Sequence, residues 1–377
     1  MPRNAFLSNI REILTYAIVG TTLNALSIGT CLWLVNTYIG FPGMPGAENA
    51  DAYTIIVFML FGSIVSAVDP VAVIAVFDEI HVNVTLYILV FGESLLNDGV
   101  AVVLYQMFEE FIYLGNENIN ATNIALAIAS FFVVALGGSF IGFIFGYVTA
   151  FASKYTDCIR SLEPLIVLGL AYISYLLADM LKMSAILSVV MAGFVMRYYV
   201  EHNMSEETLH AIHAGTKLLS VISEMTIFVI LGLVAAISNW QNHFDWAFSL
   251  TSLLFCSIFR PLFTILLTWI LNYKRTRKIS WKDMFIMSFS GLRGGIAFSL
   301  VSLSNIDHAV GEDGKESFIL TTIFIVFFTS FIQGTLCGPL VNLFGIDKAQ
   351  DPEENEYKVS TMMHDKVLRG VFFGAHF

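Results

Sequence analysis

The chain is poor in charge, in cysteine and in proline, and the first two shortages each remove a class of protein. Only 13% of its 377 residues are charged against 56% hydrophobic, and the mean hydropathy is +0.74. An ordinary soluble domain is about a quarter charged, so the composition points to a polytopic membrane protein. The four cysteines, Cys31, Cys158, Cys256 and Cys337, are scattered one to a region without paired or metal-ligand spacing. They read as small apolar residues, not as a disulfide or zinc framework. No basic patch with interleaved aromatics is present, so nucleic acid is not an expected partner. The net charge of −11 says little of partners, because most acids fall in loops and in the tail. Met1–Glu12 is polar and runs directly into a long apolar segment, so no cleavable signal peptide is read there.

Long apolar runs are what the chain has in abundance. Ten have roughly the length that crosses a bilayer, about 20 residues: Leu14–Ile39, Ile55–Phe77, Leu86–Phe108, Ile124–Phe151, Leu165–Leu181, Ala185–Val200, Leu218–Ile237, Trp246–Tyr273, Met284–Leu303 and Phe318–Phe344. The expected fold class is therefore an all-α polytopic membrane protein of about ten spans. Residues 1–346 would form the transmembrane domain and 347–377 the start of a cytoplasmic tail, with an amphipathic stretch at Ser360–Phe373. With the N-terminus inside, nearly all basic residues fall in inside segments, while the outside loops hold only Lys182 and Lys315. Both termini are thus expected in the cytoplasm. The outside loop Glu109–Asn123 then carries a glycosylation sequon at Asn120.

Against that apolar background a few charges stand out. The third run reads FGESLLNDGVAVVLY from Phe91 to Tyr105 and carries Glu93, Asn97 and Asp98. An acid at mid-bilayer depth costs about 2.5–3.5 kcal/mol on insertion scales, so two in one span imply a use. Glu93 and Asn97 share a helix face, while Asp98 is turned about 100° away, so one acid can meet a partner and the other a cavity. Asp98 in a partly dry cavity would let a proton and a cation compete for one carboxylate. The second run reads AVDPVAVIAV from Ala67 to Val76, with Asp69-Pro70 near its middle. Proline removes a backbone donor and disfavours helix before it, so this helix should break at Asp69 and offer free carbonyls to a cation. In the ninth run Gly291, Gly294 and Gly295 surround Arg293, a second expected break. A buried guanidinium needs an anion, and Glu93 is the expected partner of Arg293. Asp179 and Glu224 could line a path or pair locally, and Arg260-Pro261 in the eighth run reads as structural. Two interrupted runs, each followed by one further span and entered from opposite sides, suggest an inverted repeat of runs one to three with runs eight to ten.

Three motifs, AVDPVAV (Ala67–Val73), FGESLLND (Phe91–Asp98) and GLRGGIAF (Gly291–Phe298), occur in an order that strongly resembles the animal sodium/proton exchangers of the cation–proton antiporter superfamily. The resemblance covers roughly Ile10 to Val341 and is closest to the plasma-membrane branch, with VFDEIHVN and VVLYQMFEEF also fitting. It implies electroneutral exchange of one Na⁺ for one H⁺ by alternating access, on an inverted-repeat fold with two discontinuous crossed helices. It makes Asp98 the ion-binding carboxylate (Na⁺ being cargo, with no cofactor), Asn97 its neighbour, and Asp69 part of the crossed helices with Pro70. Glu93 and Arg293 match an ion pair, and Glu224 and Asp179 match acidic positions of the family, the latter linked to the cation path. Asn97 agrees with one-for-one stoichiometry, since relatives with a second Asp there tend to be electrogenic. Runs one to three and eight to ten would form the core and runs four to seven the scaffold of a homodimer. Expected partners are Na⁺ and H⁺, with Li⁺ or K⁺ as alternatives, the lipid bilayer, and tail-binding regulatory proteins in full-length relatives. Family members carry further spans before Leu14 and a long tail that this sequence does not contain, so a non-transporting remnant is one rival reading. A cation channel is another, though no ring of repeated ligands and no arginine-ladder voltage sensor is present. An aspartyl protease built on Asp69 and Asp98 is disfavoured by their Asp-Pro and Asn-Asp surroundings.

Overall fold

The computed structural model describes residues 6, 8–41, 55–69, 73, 74, 76, 77, 82–114, 121–155, 163–273, 275 and 278–345, with 121, 201, 202 and 308 by backbone alone. Pro70, Asn120, Cys158 and the tail from 347 onward lie outside these residues. In hydrocarbon every backbone polar group must be satisfied within its own segment, which makes apolar runs helical. The main elements are α1 (Ile10–Tyr38), α2 (Ile55–Ser66), α3 (Val84–Leu114), α4 (Ala121–Ser153), α5 (Glu163–Met180) and α6 (Ala185–Asn203). They continue as α7 (Glu206–Ile237), α8 (Trp246–Asn272), α9 (Trp281–Phe289), α10 (Gly295–Leu303) and α11 (Ala309–Phe344).

Seven of these helices, not ten, are long and apolar enough to cross a membrane: α1, α3, α4, α5, α7, α8 and α11. The three expected spans that differ do so for visible reasons. Ile55–Phe77 stops as a helix at Ser66 and leaves 67–69 without regular structure. Met284–Leu303 is two short helices, α9 and α10, separated by the irregular stretch 290–294. Ala185–Val200 is apolar but short. Two of the long helices are interrupted internally by wide π turns, α1 at Thr15–Gly20 and α11 at Phe328–Gln333.

Helix ends follow local chemistry. Ser184, Ser205 and Asp245 cap α6, α7 and α8 by accepting from the backbone N–H groups of Leu187, Thr208 and Ala247. Ser280 and Asp283 form a capping box at the start of α9. Close helix pairs rest on glycine. A Cβ on Gly29 of α1 would stand 2.7 Å from Met59 Cα of α2, and one on Gly138 or Gly142 of α4 would run into the Ser184 or Ser188 carbonyl of α6. Small residues of this kind let helix backbones approach inside a membrane, where packing replaces the hydrophobic effect.

The buried apolar side chains fall into two large layers. One gathers Phe41, Phe58, Phe61, Phe248 and Phe318 with Leu32, Leu104 and Val301. The other gathers Ile13, Tyr16, Val73, Phe77, Leu89, Leu267, Met287 and Leu292. On α2 and its continuation, on α3 and on α8, polar side chains fall between the two layers: Ser66 and Asp69, then Glu93, Ser94, Asn97 and Asp98, and Arg260. The fold therefore encloses a polar stratum between two dry ones.

Candidate functional site

The polar stratum is built where the two interruptions meet. The Asp69 N–H donates to the Leu292 carbonyl at 2.8 Å, joining the irregular backbone after α2 to that between α9 and α10. Each interruption frees backbone groups that would be costly if left unpaired. At the end of α2 and just beyond it, three successive carbonyls accept hydrogen bonds. Asn97 Nδ2 donates to Ser66 at 3.4 Å, Arg293 Nη1 to Ala67 at 3.2 Å, and Ser94 Oγ to Val68. Of the free carbonyls expected at this break, the three at 66–68 each receive a donor, and those at 70–72 lie outside the described residues.

The second interruption is served by the π turn of α11. Arg293 N–H donates to Thr329 Oγ1 at 3.1 Å, Ser330 Oγ donates to the Arg293 carbonyl at 3.4 Å, and Gln333 Nε2 to the Phe289 carbonyl at 2.5 Å. A π turn re-aims side chains that a regular helix would spread around its circumference, and such turns recur at functional sites.

Two buried oxygens in the stratum have no hydrogen-bond partner among the described residues, Asp98 Oδ1 and Asn97 Oδ1. They belong to adjacent residues of α3. With its amide N–H turned to Ser66, Asn97 leaves its carbonyl oxygen available. A carboxylate oxygen beside an amide oxygen is the donor chemistry a hard cation takes. Asp69 is half-buried at the break, with Asp98 and Glu224 each within reach of its charge. Gly294 belongs to the same contact: a Cβ there would overlap the Asp69 carboxylate. Gly295 makes room for Ile227 of α7, one turn from Glu224. Asp179 stands exposed near the end of α5, where its carbonyl accepts from Lys182, and does not enter the buried cluster.

The ion pair is not the expected one. Glu93 Oε1 lies 2.5 Å from Arg260 Nη1, both side chains being buried, so its partner is Arg260 of α8 and not Arg293. Arg293 sits within the interruption and turns its guanidinium to the Ala67 carbonyl and the Cys256 thiol. Gly291, expected to loosen the backbone, does something more specific: a Cβ there would stand 2.7 Å from Arg260 Nε. Its missing side chain is the space the Arg260 stem occupies. Arg260 was detectable in sequence only as an intramembrane charge that needed an anion. Ser94, Thr329, Ser330 and Gln333 carried no signal beyond being polar in apolar runs.

Comparison with known proteins agrees with this architecture. A family model described as "Sodium/hydrogen exchanger, transmembrane" matches residues 1–343. The chain is 41% identical over 353 residues to the probable Na⁺/H⁺ antiporter nhx-3 of Caenorhabditis elegans, covering 94% of this chain and 51% of that protein. It is also 41% identical over 351 residues to sodium/hydrogen exchanger 5 of Homo sapiens, covering 93% and 38%. The chain thus spans about half or less of the length of these curated relatives. Among solved structures, the sodium proton antiporter MjNhaP1 from Methanocaldococcus jannaschii superposes with a TM-score of 0.68 at 20% identity, covering 91% of this chain and 81% of that one, and so shares the fold. With a match that runs from its first residue to within the last helix, the chain belongs to the sodium/hydrogen exchanger family.

Proposed function

We propose that the chain is a secondary antiporter that exchanges one Na⁺ for one H⁺ at Asp98, serving pH and sodium homeostasis. The observation that carries the reading is the pair of unpartnered buried oxygens, Asp98 Oδ1 and Asn97 Oδ1, beside the junction of the two interruptions. A carboxylate so placed is neutralised either by a proton or by a cation, and the two exclude each other. Because Asn97 does not ionise, the pair carries one negative charge, and swapping its counter-ion moves no net charge. Asp69 biases cations toward the pair by its field, and the Glu93–Arg260 pair holds α3 against α8.

The finer architecture we assign is an inverted repeat, α1–α3 against α8–α11, with the interrupted helices crossing and some ten membrane passages. Its support is internal. The last helix of each triplet satisfies the break of its own triplet, α3 through Ser94 and Asn97, α11 through Thr329, Ser330 and Gln333. The bonds Asp69–Leu292 and Arg293–Ala67 then tie one triplet to the other. In this reading α4–α7 form the scaffold of a homodimer in the plasma membrane, both termini are cytoplasmic, and Asn120 is glycosylated. The test is ²²Na⁺ uptake driven by an outward proton gradient in proteoliposomes. Uptake should collapse in Asp98→Asn and be insensitive to an imposed voltage.

A further inference from the structure

A cavity of about 590 Å³ opens beside the junction of α1 and α8, remote from the polar stratum, lined by Arg11, Trp269, Ile270, Leu271, Asn272, Tyr273 and Lys278. Its walls change character with depth. Leu271 is buried at the inner wall, whereas Trp269 and Tyr273 are 75% and 89% exposed at the last turn of α8. Exposed Trp and Tyr at the end of a membrane-spanning helix sit at headgroup level, where an apolar ring and a polar tip are both accommodated. The cavity thus lies at the membrane surface. Its charge is one-sided. Arg11 is 57% exposed, with its guanidinium 3.7 Å from neighbouring Glu12, and Lys278 is exposed without an ion partner among the described residues.

The backbone that carries Lys278 is fixed to the end of α8. Asn272 donates through Nδ2 to the Ile279 carbonyl at 3.1 Å and accepts from the Ile279 N–H at 2.9 Å, so both ends of its amide clamp the chain just after Lys278. Arg275 is drawn away from the cavity: its guanidinium donates to Asn9 Oδ1 at 2.5 Å and lies 3.7 Å from Glu12 Oε1, tying the same loop to the start of α1. Glu12, shared by Arg11 and Arg275, cannot neutralise both together with Lys278. The excess positive charge faces a cavity with aromatic rims and an apolar floor that continues into the span.

We infer that this cavity binds an anionic phospholipid, its phosphate and carboxylate meeting Arg11 and Lys278 while its upper chain lies along Trp269 and Ile270. Basic groups near an anionic leaflet contribute about 1 kcal/mol each, so removal of either should weaken binding about fivefold. The experiment uses the full chain in nanodiscs with a phosphatidylserine carrying a headgroup photo-crosslinker, mapped by peptide mass spectrometry. Crosslinks are expected on 269–273 and 278, falling about fivefold in Arg11→Gln or Lys278→Gln and persisting in Lys278→Arg. A matched phosphatidylcholine probe should label this site several-fold less. Equal labelling by both probes, or full labelling in the Arg11→Gln/Lys278→Gln double variant, overturns the inference. Loss of labelling on addition of millimolar inorganic phosphate also overturns it, because the cavity would then be a site for a free anion. Both variants leave Asp98 untouched, so ²²Na⁺ uptake reports separately on the exchange site.

Discussion

Glu93 has two buried arginines within its apolar surroundings, and geometry decides between them. Arg260 reaches it from an unbroken helix, across the gap left by Gly291. Arg293 starts from irregular backbone and is spent on the opposite break. Removing one member of a buried pair leaves an uncompensated charge and costs about 3–5 kcal/mol, whereas replacing both with apolar residues of similar volume is often neutral or better. Thermal unfolding in detergent should therefore show Arg260→Met strongly destabilised and Glu93→Leu/Arg260→Met restored close to the parent. Arg293→Met with Glu93→Leu should give no such rescue. At Gly294 the issue is position: Gly294→Ala pushes a methyl into the Asp69 carboxylate. Misplacing a functional group by an ångström can cost roughly 100-fold, so uptake should fall by that order while Gly215→Ala, on α7 with open space around it, leaves it unchanged. The acids themselves were legible in the sequence because an acid in an apolar run is expensive. Their partners were not, because pairing depends on how each helix is rotated and where its backbone breaks, neither of which hydrophobicity encodes.

Among the elements, the π turn of α11 is the clearest case of a device hidden from the sequence. Phe328–Gln333 reads as part of an ordinary span, yet its widened turn directs Thr329, Ser330 and Gln333 to the end of α9 and the interruption at 290–294. Thr329→Val keeps the shape and removes the acceptor for the Arg293 N–H. A buried donor left unsatisfied costs about 1–3 kcal/mol, so this variant should lower the unfolding temperature, and Thr329→Ser should not. The α4–α6 contact offers a contrasting element. Gly138→Val must displace the Ser184 backbone, which cannot rotate away as a side chain would. Overpacking of this sort costs about 1–3 kcal/mol, and it should loosen α4 from α6, read as faster hydrogen exchange in both helices. The interruptions were legible at Asp69-Pro70 and around Arg293, since proline and clustered glycine break helices for local reasons. The count of spans was not, because a broken or short helix has the same hydropathy as a whole one.

At the scale of the molecule, two dry layers enclose a thin polar one, and everything proposed for transport happens in the latter. The layers make the stratum a place where a charge is costly to leave bare, and under the proposed function that is why proton and cation would alternate on Asp98. The exchange reading thus reduces to whether that single carboxylate carries both ions. The direct measurement is Na⁺-dependent recovery of intracellular pH after an acid load, in cells lacking endogenous exchange, for the chain and for Asp98→Asn. The account predicts recovery with the chain and none with Asp98→Asn at equal surface expression. Recovery at the parental rate in Asp98→Asn would contradict it.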